Sequence, residues 1–118
     1  MAMRRISNAE VGLENGQKLL FSAFEDNGEM WAGEGPRVIR SPVRFDQTFL
    51  DAPTVHVSVA MLDMDSGANH RFDLQAERVT ASGFDIIFRT WGDTRVARVR
   101  VSWLAIGSVA YRDNWDVI

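Results

Sequence analysis

Alternation of apolar and polar residues with a period of two is the feature that most restricts how this chain can fold. The strongest examples lie at 54–61, 83–90 and 96–105, weaker ones at 39–45 and 71–79, and a less regular apolar one at 18–24. Because successive side chains of a strand point to opposite faces, each segment is typical of a strand with one face buried. No segment sustains the period of a helix, so the pattern predicts an all-β protein.

Turn-forming residues separate these segments. Glycine, proline, aspartate and asparagine cluster at 25–28, 33–36, 50–53, 65–67 and 81–83. About six short strands at this spacing predict a six-stranded antiparallel β-sandwich, with a small barrel as the alternative. The length of 118 residues fits a single domain over 1–118, in which residues 1–17 form an extra strand or arm.

The alternation also predicts which side chains face outward. Three sets are predicted to face inward: Phe72, Leu74 and Ala76; Phe84, Ile86 and Phe88; and Ala97, Val99, Val101, Trp103 and Ala105. Two sets are predicted to face outward: Asp85, Ile87 and Arg89; and Val96, Arg98, Arg100 and Ser102. The outward set with Arg98 and Arg100 is either a solvated face or a contact surface between copies, where arginine is enriched.

The composition excludes several classes of function. The absence of cysteine excludes a disulfide framework and a cysteine-based metal site. His56 and His70 have no second ligand at zinc spacing, so we expect no metal and no cofactor. The net charge of −3 gives no general attraction to nucleic acid, and no apolar run approaches a membrane span. We therefore expect neither nucleic acid nor membrane insertion among the partners.

The compartment stays open at this stage. Asn8 and Glu10 follow the basic pair Arg4 and Arg5 too soon for a secretory signal. The chain is either cytoplasmic, with a non-classical route of export, or part of a surface assembly.

Catalytic motifs are absent from the sequence. It holds no nucleophile elbow, phosphate loop or dinucleotide fingerprint. The adjacent carboxylates Glu25 and Asp26 lie in a polar turn, without the apolar pocket that would raise one pKa for glycoside hydrolysis. We expect a binding protein and not an enzyme.

The turn between the last two strands carries a large aromatic residue, Trp91. If residues 79–84 form a hairpin turn, one register places Phe72 opposite Trp91 and the other places Arg71 there. In both, Arg71 and Trp91 share one end of the hairpin. An indole face beside a guanidinium fork, with Asp93 nearby, suits a sugar with a C–H face and vicinal hydroxyls. From chemistry alone, a surface cation–π pair that caps the hairpin is the commoner case.

The same stretch resembles the H-type lectin domain. The matching residues are Gly83-Phe84, Thr90-Trp-Gly-Asp-Thr-Arg-Val96, Val101-Ser-Trp103, and upstream Val43-Arg-Phe45, Phe49, Pro53-Thr-Val-His-Val57 and Leu62-Asp63. The likeness covers about residues 37–107. It implies a six-stranded sandwich that assembles as a homotrimer or hexamer and binds galactose-type glycans, notably N-acetylgalactosamine, as in cell adhesion.

The resemblance also implies which residues bind the sugar. The family's arginine corresponds to Arg71 and its tryptophan to Trp91, while the following residue, often histidine in the family, is Gly92 here. The family's acidic residue, an aspartate supplied by the neighbouring protomer, aligns with Glu34, and Asp26 is the fallback. With Asp93, these residues form the predicted carbohydrate site. The departure at Gly92 supports the alternative, a trimerising structural or adhesion module with a weak or lost sugar site.

Overall fold

Six strands and one short helix make up the parts of the chain that the computed structural model describes, residues 2–6, 10–22 and 28–111. In chain order these elements are β1 (Glu10–Ser22), α1 (Glu29–Ala32), β2 (Arg37–Arg44), β3 (Thr54–Met64), β4 (Phe72–Glu77), β5 (Gly83–Thr90) and β6 (Val96–Val109). The strands form two three-stranded sheets, ordered β1-β6-β3 and β2-β5-β4, with antiparallel pairing throughout. The predicted six-stranded antiparallel β-sandwich is confirmed. Among the described residues, no helix has the length and apolar content needed to cross a membrane.

The core lies between the inner faces of the central strands β5 and β6. Phe84, Ile86 and Phe88 of β5 are at most 3% exposed and face the fully buried Val99 and Val101 of β6. Fully burying one such side chain contributes about 1.5–3 kcal/mol. The period-two segments of the sequence therefore supply the main apolar contacts that hold the two sheets together.

Two elements depart from the sequence prediction. β1 (Glu10–Ser22) runs without a break through part of the predicted extra strand or arm at 1–17 and into the irregular segment at 18–24. The last two residues of that segment lie outside the described part of the chain. α1 was not predicted, since a single helical turn is too short to show a helical period. It is closed by hydrogen bonds from the Trp31 and Ala32 N–H groups to the Gly28 carbonyl.

Val96 was predicted to face outward, and this is wrong. Its side chain is fully buried in the core. The register of β3 against β6 shifts here, because Asp63 pairs with Arg98 whereas the next residue, Met64, pairs with Val96. This irregularity skips Ala97 and turns the side chain of Val96 toward the core.

The outer face of the β2-β5-β4 sheet is covered by ion pairs. Arg40 contacts Asp85 at 3.0 Å and Glu77 at 3.7 Å, and Arg89 contacts Glu77 at 3.1 Å. Ile87, predicted to point outward, lies on this face but is fully buried. Long charged side chains cover apolar surface with their aliphatic stems, which explains how an outward-facing isoleucine is shielded from water.

The outer face of the β1-β6-β3 sheet is different in character. Val11, Leu13 and Leu19 of β1 are 58%, 63% and 51% exposed. Leu13 pairs with the half-buried Ile106, so that the two apolar side chains lie on the same face. The outer face of this sheet therefore has exposed apolar side chains on β1, but it also carries the exposed Arg100 and the Arg98–Asp63 ion pair at 3.0 Å.

Candidate functional site

Arg71 and Trp91 lie at the same end of the β4–β5 hairpin. The last paired residues of this ladder are Phe72 and Thr90. Continuing the register by one residue sets Arg71 opposite Trp91, the second of the two alternatives considered from the sequence. Trp91 is 43% exposed, so a large part of its indole faces solvent.

Two buried threonines fix the backbone of Arg71. Its N–H donates to Thr94 Oγ1 at 3.0 Å, and its carbonyl accepts from Thr90 Oγ1 at 2.7 Å. The Thr94 hydroxyl in turn donates to the Asn69 carbonyl at 2.5 Å. Thr90 and Thr94 are at most 1% exposed. The position of Arg71 is thus set through hydroxyl groups that sequence reasoning did not select, although they flank the Trp-Gly-Asp turn.

The Arg71 guanidinium is paired with a carboxylate of the same turn. Its Nη1 donates to Asp93 Oδ1 at 2.7 Å. Asp93 also accepts from the Asn69 backbone N–H at 3.3 Å and from its amide nitrogen at 3.1 Å. A guanidinium has five N–H donors, and the Arg71 side chain is 41% exposed. The pair therefore offers donors and carboxylate oxygens to a ligand from solvent. Asn69, which sequence reasoning missed, orients the carboxylate.

These contacts lower the pKa of Asp93 from its ordinary value of 3.8. The main causes are the hydrogen bonds from the backbone and side chain of Asn69, with a smaller effect from Arg71, and burial opposes them. A lowered pKa means that the charged form is favoured in the folded protein. The Asp93–Arg71 pair therefore persists above this pKa and is lost as the pH falls through it.

We expect the Asp93 carboxyl to titrate with a midpoint below pH 3.8, so that the pair stays intact at neutral and mildly acidic pH. A carbon-detected NMR titration of the Asp93 side chain measures this directly. In the Asn69→Ala variant, which removes the amide contact, the midpoint should move up toward 3.8. A wild-type midpoint at or above 3.8 would contradict the assignment.

Gly92 allows the arginine to lie over the turn. Its φ is +68°, in the left-handed region, and a Cβ there would lie 3.3 Å from Arg71 Nη1. A histidine, which the resemblance leads one to expect here, would be strained in this conformation and crowd the guanidinium. In this chain, therefore, the Arg71 guanidinium lies next to the space that a side chain at position 92 would fill.

Replacing Gly92 by alanine should lower the free energy of unfolding by about 1–2 kcal/mol, since an L-residue is disfavoured in this conformation. It should also displace the Arg71 guanidinium. Chemical denaturation measures the first effect. Gly67→Ala is the matched control, because Gly67 lies outside the left-handed region and a Cβ there meets its nearest atom at 3.4 Å. Equal losses of stability in the two variants would contradict a special role for the conformation of Gly92.

Trp91 borders a cavity on the β2 side of the hairpin. The cavity has a volume of about 290 Å³, and Pro36, Val38 and Thr90 are among the residues that line it with the indole. Arg71 approaches the turn from the β4 side. The indole therefore has a largely apolar side next to β2, whereas the Arg71–Asp93 pair is polar. Direct contact between the Arg71 and Trp91 side chains stays a prediction.

Glu34 lies in the loop before β2, and its side chain is exposed. The next residue, Gly35, donates its N–H to the Gly92 carbonyl at 3.0 Å. The loop of Glu34 thus contacts the Trp-Gly-Asp turn of its own chain. Asp26, the fallback acid, lies outside the described residues.

A β-sandwich that carries an exposed guanidinium, a carboxylate and an indole at one end defines a small binding domain. The profile of the H-type lectin domain family matches residues 40–106, more than half of the chain. The chain belongs to the H-type lectin domain family, as the resemblance predicted. The family and the fold support carbohydrate binding in general, and they point to a non-enzymatic binding protein.

Two known proteins illustrate what the chain is similar to in sequence. The chain is 50% identical over 109 residues to a Fuscovulum blasticum protein named ATP synthase subunits region ORF 7, covering 92% of this chain and 95% of that protein. It is 31% identical over 81 residues to a discoidin-1 polypeptide of Dictyostelium discoideum, covering 68% of this chain but only 32% of the discoidin.

Solved structures share the fold. Discoidin II of Dictyostelium discoideum superposes with a TM-score of 0.74 at 24% identity, over 92% of this chain and 40% of that chain. The tailspike protein of a Pseudomonas phage superposes with a TM-score of 0.54 at 19% identity, over 86% of this chain and 15% of that chain. At these identities the likeness shows the fold alone.

Proposed function

We propose that this lectin domain binds glycans that end in galactose or N-acetylgalactosamine. The observation that carries the proposal is the exposed pair of Arg71 and Asp93. Adjacent sugar hydroxyls can accept hydrogen bonds from the planar guanidinium and donate to a carboxylate. Because Thr90 and Thr94 fix the backbone beneath this pair, little ordering is needed when a ligand binds.

The indole adds an apolar contact to the proposed site. A galactose ring exposes a patch of C–H groups on one face, and the partly exposed Trp91 offers a flat apolar surface. Gly92 leaves the guanidinium uncrowded, and Glu34 would add a second carboxylate from the loop that contacts the turn. The site would then combine directional hydrogen bonds with stacking, which suits a small polar ring.

We propose further that the protein acts as a homotrimer or hexamer with sites near the boundaries between protomers. The exposed Val11 and Leu13 on the outer face of β1, next to Ile106, support this, because exposed neighbouring apolar side chains often mark a contact between proteins. Linked copies would bind a glycan-coated surface far more tightly than one weak site, as adhesion requires.

A glycan array probed with the purified protein tests the proposal. We expect glycans with terminal galactose or N-acetylgalactosamine to be bound in preference to those ending in glucose or mannose. A silent array from a protein that still oligomerises would favour the alternative, a trimerising structural module. The glycine at position 92, where the family often has histidine, is the observation that supports this alternative.

A further inference from the structure

A cavity lies at the end of the β4–β5 hairpin that is opposite to Arg71 and Trp91. Its volume is about 580 Å³, within the range of small-ligand sites. Its lining includes Pro42, Arg44, Arg78, Ser82, Gly83 and Asp85. Because β5 is eight residues long, the strand separates this cavity from the Trp-Gly-Asp turn by about 23 Å. The cavity is therefore a different place on the molecule from the candidate carbohydrate site.

The floor of the cavity is fixed by a close approach of two strands. Gly83 pairs with Arg44, and a Cβ on Gly83 would collide with the Val43 carbonyl oxygen. Only glycine fits here, so this part of the floor carries no side chain. The turn beside it is held by a hydrogen bond from the Phe45 N–H to the Ser82 carbonyl at 2.9 Å. The cavity is thus built into the fold and needs little rearrangement to receive a ligand.

Two arginines at the cavity are not neutralised by the protein. Arg44 is exposed, and among the described residues it has neither an ion pair nor a hydrogen-bond partner. The Arg78 side chain is 76% exposed, and its Nε lies 3.8 Å from Asp85, which is already paired with Arg40 at 3.0 Å. An exposed ion pair at such a distance contributes little. The cavity therefore carries excess positive charge in a chain whose net charge is −3.

Arg78 also adopts a disfavoured backbone conformation. Its φ is +54°, and no other non-glycine residue in the described part of the chain has a positive φ. The left-handed region suits glycine, whereas a residue with a Cβ is strained there. Strained residues cluster at ligand sites, where the position of the side chain matters more than the relaxation of the backbone. The conformation of Arg78 is thus a second indication of a binding site, independent of the charge.

We propose that this cavity binds an acidic sugar, one whose ring carries a sulfate, phosphate or carboxylate group. The guanidinium groups of Arg44 and Arg78 offer planar pairs of donors that match such anions. The volume exceeds what a free anion needs, and Pro42 and Phe84 add apolar lining for the C–H groups of a ring. The site differs from the proposed galactose site in its place and its ligand, and it does not depend on that proposal.

An NMR titration of the whole protein with glucose 6-sulfate tests the proposal, and uncharged glucose is the matched control. We expect glucose 6-sulfate to shift the amide signals of Ser82 and Gly83, and glucose to leave them unchanged. Glucose 6-phosphate and glucuronic acid then show which anion is preferred. If none of the three acidic sugars shifts these signals, the proposal is wrong. If inorganic sulfate binds as tightly as glucose 6-sulfate, the cavity is a site for free anions and the assignment to a sugar is wrong.

Two substitutions test the roles of the arginines. Arg44→Gln should raise the Kd for glucose 6-sulfate at least about tenfold, because a charge-assisted pair of hydrogen bonds is lost. Arg78→Gly should raise it by a similar factor without lowering the unfolding temperature, since glycine is relaxed at positive φ. Wild-type affinity in both variants would overturn the proposal. Thermal unfolding shows that each variant is folded during the titration.

Two further variants serve as controls. Arg100→Ala removes an exposed arginine of the other sheet, which has no ion-pair partner among the residues described, and it should leave the affinity for glucose 6-sulfate unchanged. An equal loss in this variant would show a general effect of charge and overturn the proposed site. Arg71→Ala should also keep this affinity, so that failure of the galactose proposal and failure of this one are distinguished.

Discussion

Arg71→Ala is expected to abolish binding to beads that carry galactose or N-acetylgalactosamine. Each hydrogen bond from a charged donor contributes about 1.5–3 kcal/mol, whereas a millimolar affinity corresponds to only about 4 kcal/mol. Loss of two such bonds therefore removes most of the binding free energy. Arg71→Lys should restore little, because an ammonium group cannot reproduce the planar pair of donors.

The fold should survive this change. The hydrogen bonds of Arg71 to Thr90 and Thr94 use its main chain, which alanine retains. Arg40→Ala is the matched control, since Arg40 is also a partly exposed arginine, 3.0 Å from Asp85 and on the ion-paired outer face. Equal binding by wild type and Arg71→Ala would show that the site lies elsewhere, and loss of binding in Arg40→Ala would show that the effect is not specific.

Leu13→Glu is expected to disperse the oligomer and to reduce binding to a glycan-coated surface by about 10²–10⁴-fold, the usual contribution of multivalency. Leu13 is 63% exposed on the outer face of the β1-β6-β3 sheet, near Val11 and Ile106. A carboxylate there would have to be buried without a partner at a contact between copies. Binding of free monosaccharide should change little.

Light scattering measures the mass of the oligomer formed by Leu13→Glu. Surface plasmon resonance on immobilised glycans measures how much avidity the variant loses. Leu50→Glu is the control, because Leu50 is 58% exposed in the loop between β2 and β3. If Leu13→Glu keeps the mass of the wild type, another surface forms the oligomer. If the wild type itself is a monomer, the proposed assembly is wrong.

The β-sandwich could be predicted from the sequence because the alternation of apolar and polar residues follows directly from the burial of one face of each strand. Phe84, Ile86 and Phe88 recur at every second position and form the core. The sequence prediction placed Val96 on the wrong face and missed the burial of Ile87, for two different reasons. An irregular step in the β3–β6 ladder turns Val96 inward, and charged side chains of neighbouring strands cover Ile87. Both effects depend on residues that are distant in the sequence, and the alternation within one strand carries no information about them.

The candidate site could be approached from the sequence only in part. Hairpin geometry set Arg71 and Trp91 at one end, but left two registers open. The contact of Gly35 with Gly92 and the burial of Arg37 join segments more than fifty residues apart, and no local pattern indicates them. The roles of Thr90 and Thr94 were missed because a short polar turn gives no indication that its hydroxyls are buried.

The contrast between the two outer faces bears on how large an assembly can grow. The β2-β5-β4 face carries the alternating charges of Arg40, Asp85, Glu77 and Arg89, and burying it would strip water from all of them. In the oligomer proposed above, the contacts between copies would therefore leave the β2-β5-β4 face in water. A face that stays hydrated opposes the further addition of copies, so it would favour a closed particle of fixed size over an open fibre.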